Sequence, residues 1–96
     1  MTDICFEFDP EKSRTNEERH GMGLGEARRL WGAAHVVIPA KDVGGESRYA
    51  ILGKMDGDVY VAIFTKRGAA VRLISCHRAD VRWERIYERC FEEEID

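Results

Sequence analysis

The sequence has no apolar run near the ~18 residues that a bilayer-spanning helix needs. Its acidic start, MTDICFEFD, also lacks the basic and apolar regions of a secretion signal. A membrane role is therefore not expected, and the reading places the protein in the cytoplasm. Cysteine is scarce: Cys5, Cys76 and Cys90 are odd in number and have no paired spacing, which speaks for a reducing compartment rather than a disulfide framework. Each is expected to be a small buried apolar residue. Among these cysteines and His20, His35 and His77, no pair has metal-site spacing, so neither a metal nor any other cofactor is expected. Cys76 beside His77 does not make a nucleophilic pair either, since strand neighbours point to opposite faces. Internal repeats are absent. So is an excess of positive charge: 15 Lys and Arg stand against 18 Asp and Glu, a net −3. That balance weighs against an all-basic nucleic-acid binder, but it leaves open how the charge is distributed.

What remains is the composition of one folded domain. At 96 residues, 44% hydrophobic and 34% charged, the chain is too short to divide into two cores. From Ile4 to Phe8 apolar residues alternate as in a half-buried strand. Asp9 and Pro10 then open a helix that runs to about Arg19 and ends at Gly21. Leu24, Ala27, Leu30, Trp31 and Ala34 recur at the spacing of a second helix. The stretch IPAKDVGGES, Ile38 to Ser47, reads as a surface loop. Three β-rich runs follow, Arg48 to Lys54, Val59 to Lys66 and Ala69 to Cys76, separated by turns at Asp56-Gly57 and Arg67-Gly68. Asp80 caps a last helix whose Trp83, Ile86, Tyr87, Cys90 and Phe91 form one apolar face. The expected order is β-α-α-β-β-β-α: an α+β domain with an antiparallel sheet of about four strands, helices on one face and the other face open.

Positive charge gathers between Thr65 and Arg89. Arg78, Arg82, Arg85 and Arg89 are spaced to share one side of the last helix, and such like charges repel unless something anionic lies against them. Glu84, Glu88 and the acidic end, Glu92, Glu93, Glu94 and Asp96, offer a purely internal neutralisation. Lys66, Arg67 and Arg72 add to the stripe from the preceding strand, and His77 sits where strand meets helix. With Val71 and Leu73 turned inward, Arg72 is expected to project away from the helices. Guanidinium forks suit phosphate oxygens, so RNA is the expected partner.

Several motifs taken together resemble the BrnT ribonuclease toxins of bacterial type II toxin–antitoxin systems. FEFDPEKSRTNEERHGM carries Phe8, Asp9, Lys12, Asn16, His20 and Gly21 of that family's opening, followed by Glu26 and Ala27; ESRYAILG carries Glu46, Arg48, Tyr49 and Gly53. VAIFTKRGAAVRLISCHRADVRWERIYE is similar to the family's strand pair and closing helix. The resemblance implies a RelE-like fold and a metal-independent endoribonuclease that arrests growth by cutting RNA. It further implies a ribbon-helix-helix antitoxin, joined in a hetero-oligomer that binds operator DNA through the antitoxin. The chain departs from the pattern at His77, where the family has Arg, at Cys76 for Ala, and at Trp83 for a charged residue.

The expected catalytic residues are His77, Arg72 and Arg48, with imidazole transferring a proton and guanidinium stabilising the charged phosphorane. Lys66, Arg67, Arg78, Arg82 and Arg85 are expected to bind RNA, with His20 and Glu46 as accessories. Simpler readings stand beside these: His20 as a cation at a helix end, Glu46 and Arg48 as an exposed ion pair, and Lys12 as a solvated helix residue. Two other functions stay open, a catalytically weak or inactive toxin-fold module that docks an antitoxin or nucleic acid, and a structural partner subunit without a nucleic-acid role.

Overall fold

A computed structural model describes residues 4 to 95, with side chains to residue 91. The elements in order are β1 (Cys5–Glu7), α1 (Pro10–His20), a 3₁₀ helix (Leu24–Gly32), β2 (His35–Val43), β3 (Glu46–Met55), β4 (Asp58–Arg67), β5 (Ala70–Arg78) and α2 (Val81–Ile95). The sheet has five strands rather than about four, in the order β1-β5-β4-β3-β2. It is mixed: β1 pairs parallel to β5, while β2, β3, β4 and β5 form antiparallel neighbours.

The expected loop after Ile38 is instead the strand β2. Its Pro39 pairs with Tyr49, which the ladder tolerates because β2 is an edge strand with nothing beyond it to receive an N–H. Gly44 and Gly45, at φ 58° and 80°, make the two-residue turn back into β3, a conformation in which both central residues need positive φ. Asp56 and Gly57 repeat that device between β3 and β4, at φ 54° and 88°, as the sequence predicts.

The second helix is 3₁₀ rather than α. Leu24, Ala27 and Leu30 are all fully buried, and at three residues per turn their three-residue spacing lines up without drift along one side. Ser13 fixes its entry, the hydroxyl accepting from the Leu24 N–H at 2.8 Å.

The helices cover both faces of the sheet, not one. In β3 the consecutive residues Ala50, Ile51 and Leu52 have no exposed surface, the mark of a strand buried on two sides. Ile51 joins Leu24, Leu30, Ala62, Phe64, Leu73 and Cys76 beneath α1 and the 3₁₀ helix. Ala50 and Leu52 join Val59, Val61 and Tyr87 beneath α2, with Trp83 and Phe91 at the margin. Ile86 lies outside this face at 37% exposed. On the first face an aromatic chain ties β1 to the middle strands: Phe6 meets Trp31 at 5.0 Å, Trp31 meets Phe64 at 5.1 Å, and Tyr49 stacks on Phe64 at 5.5 Å. Each such pair adds about 0.5–1.5 kcal/mol beyond burial.

Between α1 and the sheet lies one polar anchor, Asn16. β1 reaches only as far as Arg72 along β5, so the later part of that strand edge is bare of a strand neighbour. There Asn16 donates to the Cys76 carbonyl at 2.7 Å and accepts from the Cys76 N–H at 3.2 Å; it also donates to the Met22 carbonyl at 2.9 Å.

Candidate functional site

The α2 face of the sheet is apolar only as far as Ala50 and Ile63. One pair further along, the register aligns Arg48 on β3, Thr65 on β4, Arg72 on β5 and Glu7 on β1. Residues paired across neighbouring strands point to the same face, so these four form one row. Arg48 and Arg72 are two strands apart, about 10 Å between backbones. Between them Thr65 is itself 2% exposed and donates its hydroxyl to the Ser47 carbonyl at 2.7 Å.

Two residues further on lie Glu46 and Arg67, on the same face by alternation. The Glu46 carboxylate stands 3.6 Å from Arg48 and 3.6 Å from Arg67, bridging them, while Glu7 stands 3.5 Å from Arg72. Three guanidinium groups are thus held by two carboxylates, leaving one net positive charge on the cluster. Arg48 and Arg72 are half-buried, and the Arg48 Nε is buried without a hydrogen bond among the described residues. A buried donor of this kind is costly unless an acceptor comes to it.

The other predicted residues lie elsewhere. Lys66 points to the opposite face, its Nζ 5.1 Å from the centre of the Tyr49 ring. Arg78 is not on the last helix; it ends β5 and pairs with Asp58 at 3.1 Å, so it lies away from the arginine row. His77 pairs with Val61, four residues along β4 from Thr65, which puts it about 13 Å from Arg72. Its ring faces His20, with centroids 5.3 Å apart. Arg82 and Arg85 do lie on α2; Arg82 reaches Asp80 at 4.0 Å, and Arg85 and Arg89 border a cleft of about 220 Å³ with Ile86 and Cys90. The acidic end proposed to neutralise them lies outside the described side chains.

One member of the cluster, Glu7, has no signal in the sequence, and another, Arg67, is expected there as an RNA contact but in the wrong company. In the sequence Glu7 reads only as an outward residue of the first strand, and its place beside Arg72 depends on the parallel pairing of β1 with β5. Arg67 groups by sequence with its neighbour Lys66, although the pleat sends the two to opposite faces.

The cysteines differ as well. Cys76 is buried, and burial pushes its thiol up to about 12, with Glu26 adding repulsion of the thiolate. It therefore remains a neutral apolar side chain at ordinary pH. Cys5, expected to be buried, is exposed.

The fold and this cluster define a small α+β domain that presents a cluster of arginines and carboxylates on a sheet face. Residues 8 to 82 match the family model for the ribonuclease toxin BrnT of type II toxin–antitoxin systems, and the chain belongs to that family. The match spans most of the sheet, both α1 and the 3₁₀ helix, and all members of the cluster except Glu7. Such a toxin has an antitoxin protein as its counterpart. No curated protein matches the chain. Among the described residues no helix is long and apolar enough to cross a membrane.

Proposed function

We propose that the protein is a metal-independent endoribonuclease on a RelE-like scaffold, acting on cytoplasmic RNA, with the row of Arg48, Arg67 and Arg72 as its phosphate clamp. The observation that carries this is the half-buried Arg48, whose Nε has no hydrogen bond among the described residues and only the Glu46 carboxylate at 3.6 Å, in register with Thr65 and Arg72 on one sheet face. Guanidinium groups of this kind bind phosphate oxygens in bidentate fashion and stabilise the extra charge of the phosphorane. They cannot take up a proton. Glu46, held between Arg48 and Arg67, is the carboxylate within the clamp that is placed to do so.

In this mechanism Glu46 accepts the proton of the ribose 2′-OH as the oxygen attacks the adjacent phosphorus. The bond to the 5′ oxygen breaks, a 2′,3′-cyclic phosphate forms, and the departing oxygen takes a proton from solvent. Glu7 fixes the direction of Arg72. His77 belongs to a different part of the surface, because its ring is turned to His20 rather than to the row. The partner is a ribbon-helix-helix antitoxin, in a hetero-oligomer whose antitoxin holds operator DNA, and the α2 arginines Arg82, Arg85 and Arg89 are open to RNA or to that antitoxin.

Purified protein incubated with RNA in EDTA is expected to yield fragments ending in 2′,3′-cyclic phosphate and 5′-OH. Intact RNA under those conditions, at protein in excess over RNA, rejects the mechanism. A second reading is favoured by one feature: every arginine of the cluster already has a carboxylate partner. On that reading the row is a structural ion network in a binding module. Salt-sensitive RNA binding without turnover would favour it.

A further inference from the structure

Away from the arginine row, a second set of basic side chains meets where α1 runs along the bare edge of β5. Lys12, Thr15, Asn16, Arg19 and His20 follow steps of three and four along α1 and so share one face. With Ile74 and Ser75 of β5 they line a cleft of about 230 Å³. His77 stands beside the His20 wall of this cleft, ring to ring with His20 at 5.3 Å. Asn16 sets this geometry. It is bonded to the backbone of Cys76, the residue before His77, and His20 lies one helical turn beyond it.

The sorting of charge along α1 points to an anion. The helix carries Glu11, Glu17 and Glu18, and none of them lines the cleft, whereas Lys12, Arg19 and His20 do, with Arg14 the one basic residue of the helix left outside. Favourable contact with the helix C-terminus accounts for Arg19 and His20. It does not account for Lys12, two turns earlier, or for His77, which arrives from another element. His77 also has its Nδ1 engaged with the Arg78 carbonyl at 2.8 Å, which leaves Nε2 for a ligand.

We propose that this cleft is a second phosphate-binding site, in which Lys12, Arg19, His20 and His77 hold the RNA backbone away from the phosphate that reacts. The inference rests on the reading that the substrate is RNA and extends it. The strand leads from the arginine row along β5 to this cleft, so the length of RNA held exceeds one nucleotide on either side of the cut. Lys12 and Arg19 supply charge to non-bridging oxygens, and the paired imidazoles set the far end of the path. The departure from arginine at His77 then concerns how substrate is gripped.

The test uses the full chain and a short single-stranded RNA made uncleavable by 2′-O-methylation. Adding it to the wild type is expected to shift the ring resonances of both His20 and His77. In a Lys12→Ala/Arg19→Ala variant, affinity is expected to fall at least tenfold. The slope of log affinity against log salt is expected to shrink by about 1.4, two contacts at about 0.7 each for a single strand. Both side chains are exposed, so the variant retains the fold. Unmoved imidazole resonances in the wild type, or an unchanged salt slope in the variant, overturns the site. The same resonances moved by poly-glutamate but not by RNA would assign the cleft to an acidic protein segment and overturn it too. With cleavable RNA the variant is expected to raise KM more than it lowers kcat. Cleavage with KM unmoved removes this site and leaves the ribonuclease reading intact, whereas imidazole shifts without any cleavage remove the ribonuclease reading and uphold the site.

Discussion

Asn16 on α1 grips the backbone of Cys76 on β5 from both sides, accepting from its N–H at 3.2 Å and donating to its carbonyl at 2.7 Å. One side chain thereby stands in for the strand neighbour that β1 does not extend far enough to provide. Its other amide hydrogen is donated to the Met22 carbonyl at 2.9 Å, where the chain turns into the 3₁₀ helix.

Replacing Asn16 by Ala strands three backbone groups in a buried place. Each unsatisfied group costs about 1–3 kcal/mol, so a loss of about 2–4 kcal/mol is expected after local relaxation. Asn16→Asp is expected to fare little better, because it lacks both N–H donors. Urea unfolding measures the difference, and an unchanged midpoint in both variants would show that the clamp carries no stability.

For the clamp itself, Arg48→Ala and Arg72→Ala are each expected to lower kcat by about 10²–10³-fold, the cost of losing one preorganised donor to a charged transition state. Arg48→Lys is not expected to restore the rate, since an ammonium cannot make the paired contacts of a guanidinium. Glu46→Gln keeps the shape and removes the base, so it is expected to bind RNA and cleave it at least a hundredfold more slowly. Single-turnover cleavage separates these from defects in binding. Full activity of Glu46→Gln would remove Glu46 from the chemistry.

The buried Cys76 thiol makes a prediction about pH. Its pKa is raised by burial from an ordinary 9.0 to about 12. Between those values the unfolded chain has lost the proton that the folded chain keeps, so the folded state is destabilised as pH rises. The stabilising contribution is complete below about pH 9 and disappears as pH climbs toward 12. Unfolding midpoints from pH 8 to 11 are expected to fall less steeply for Cys76→Ala than for the wild type. At pH 8 a thiol reagent is expected to label Cys5, which is exposed, and to reach Cys76 only on unfolding.

Gly53 tests how closely β3 is approached from above. A Cβ there would lie 3.2 Å from the Ala34 carbonyl oxygen and 3.2 Å from Leu30 Cδ2. The first of these is backbone at the entry to β2 and has little room to move. Gly53→Ala is expected to cost about 1–3 kcal/mol through overpacking, and thermal unfolding will show whether it does.

Local chemistry made much of this legible. Asp9 caps α1 as its sequence suggests, its carboxylate accepting from the Glu11 N–H at 2.9 Å. Asp56-Gly57 specifies a tight turn, and the β-rich runs on either side become β3 and β4. The same cues mislead at Gly44-Gly45, where a pair of glycines that closes a hairpin reads as an open loop. The second helix was placed correctly but with the wrong winding, because one buried face at three-residue spacing fits a tighter helix.

The sequence by itself determined the α+β class, the turns, the apolar faces and the abundance of arginine between Thr65 and Arg89, because each depends on residues within a few positions of one another. Tertiary structure alone decided which arginines act together. Arg48, Arg72 and Glu7 are joined by pairing register across three strand interfaces, and a pleat separates Arg67 from its neighbour Lys66. His77, adjacent in sequence to the supposed stripe, is carried by the length of β5 to stand against His20 of α1. Side chains far apart along the chain meet only when strands align, and a shift of one residue in any of those registers would turn the row to the other face of the sheet.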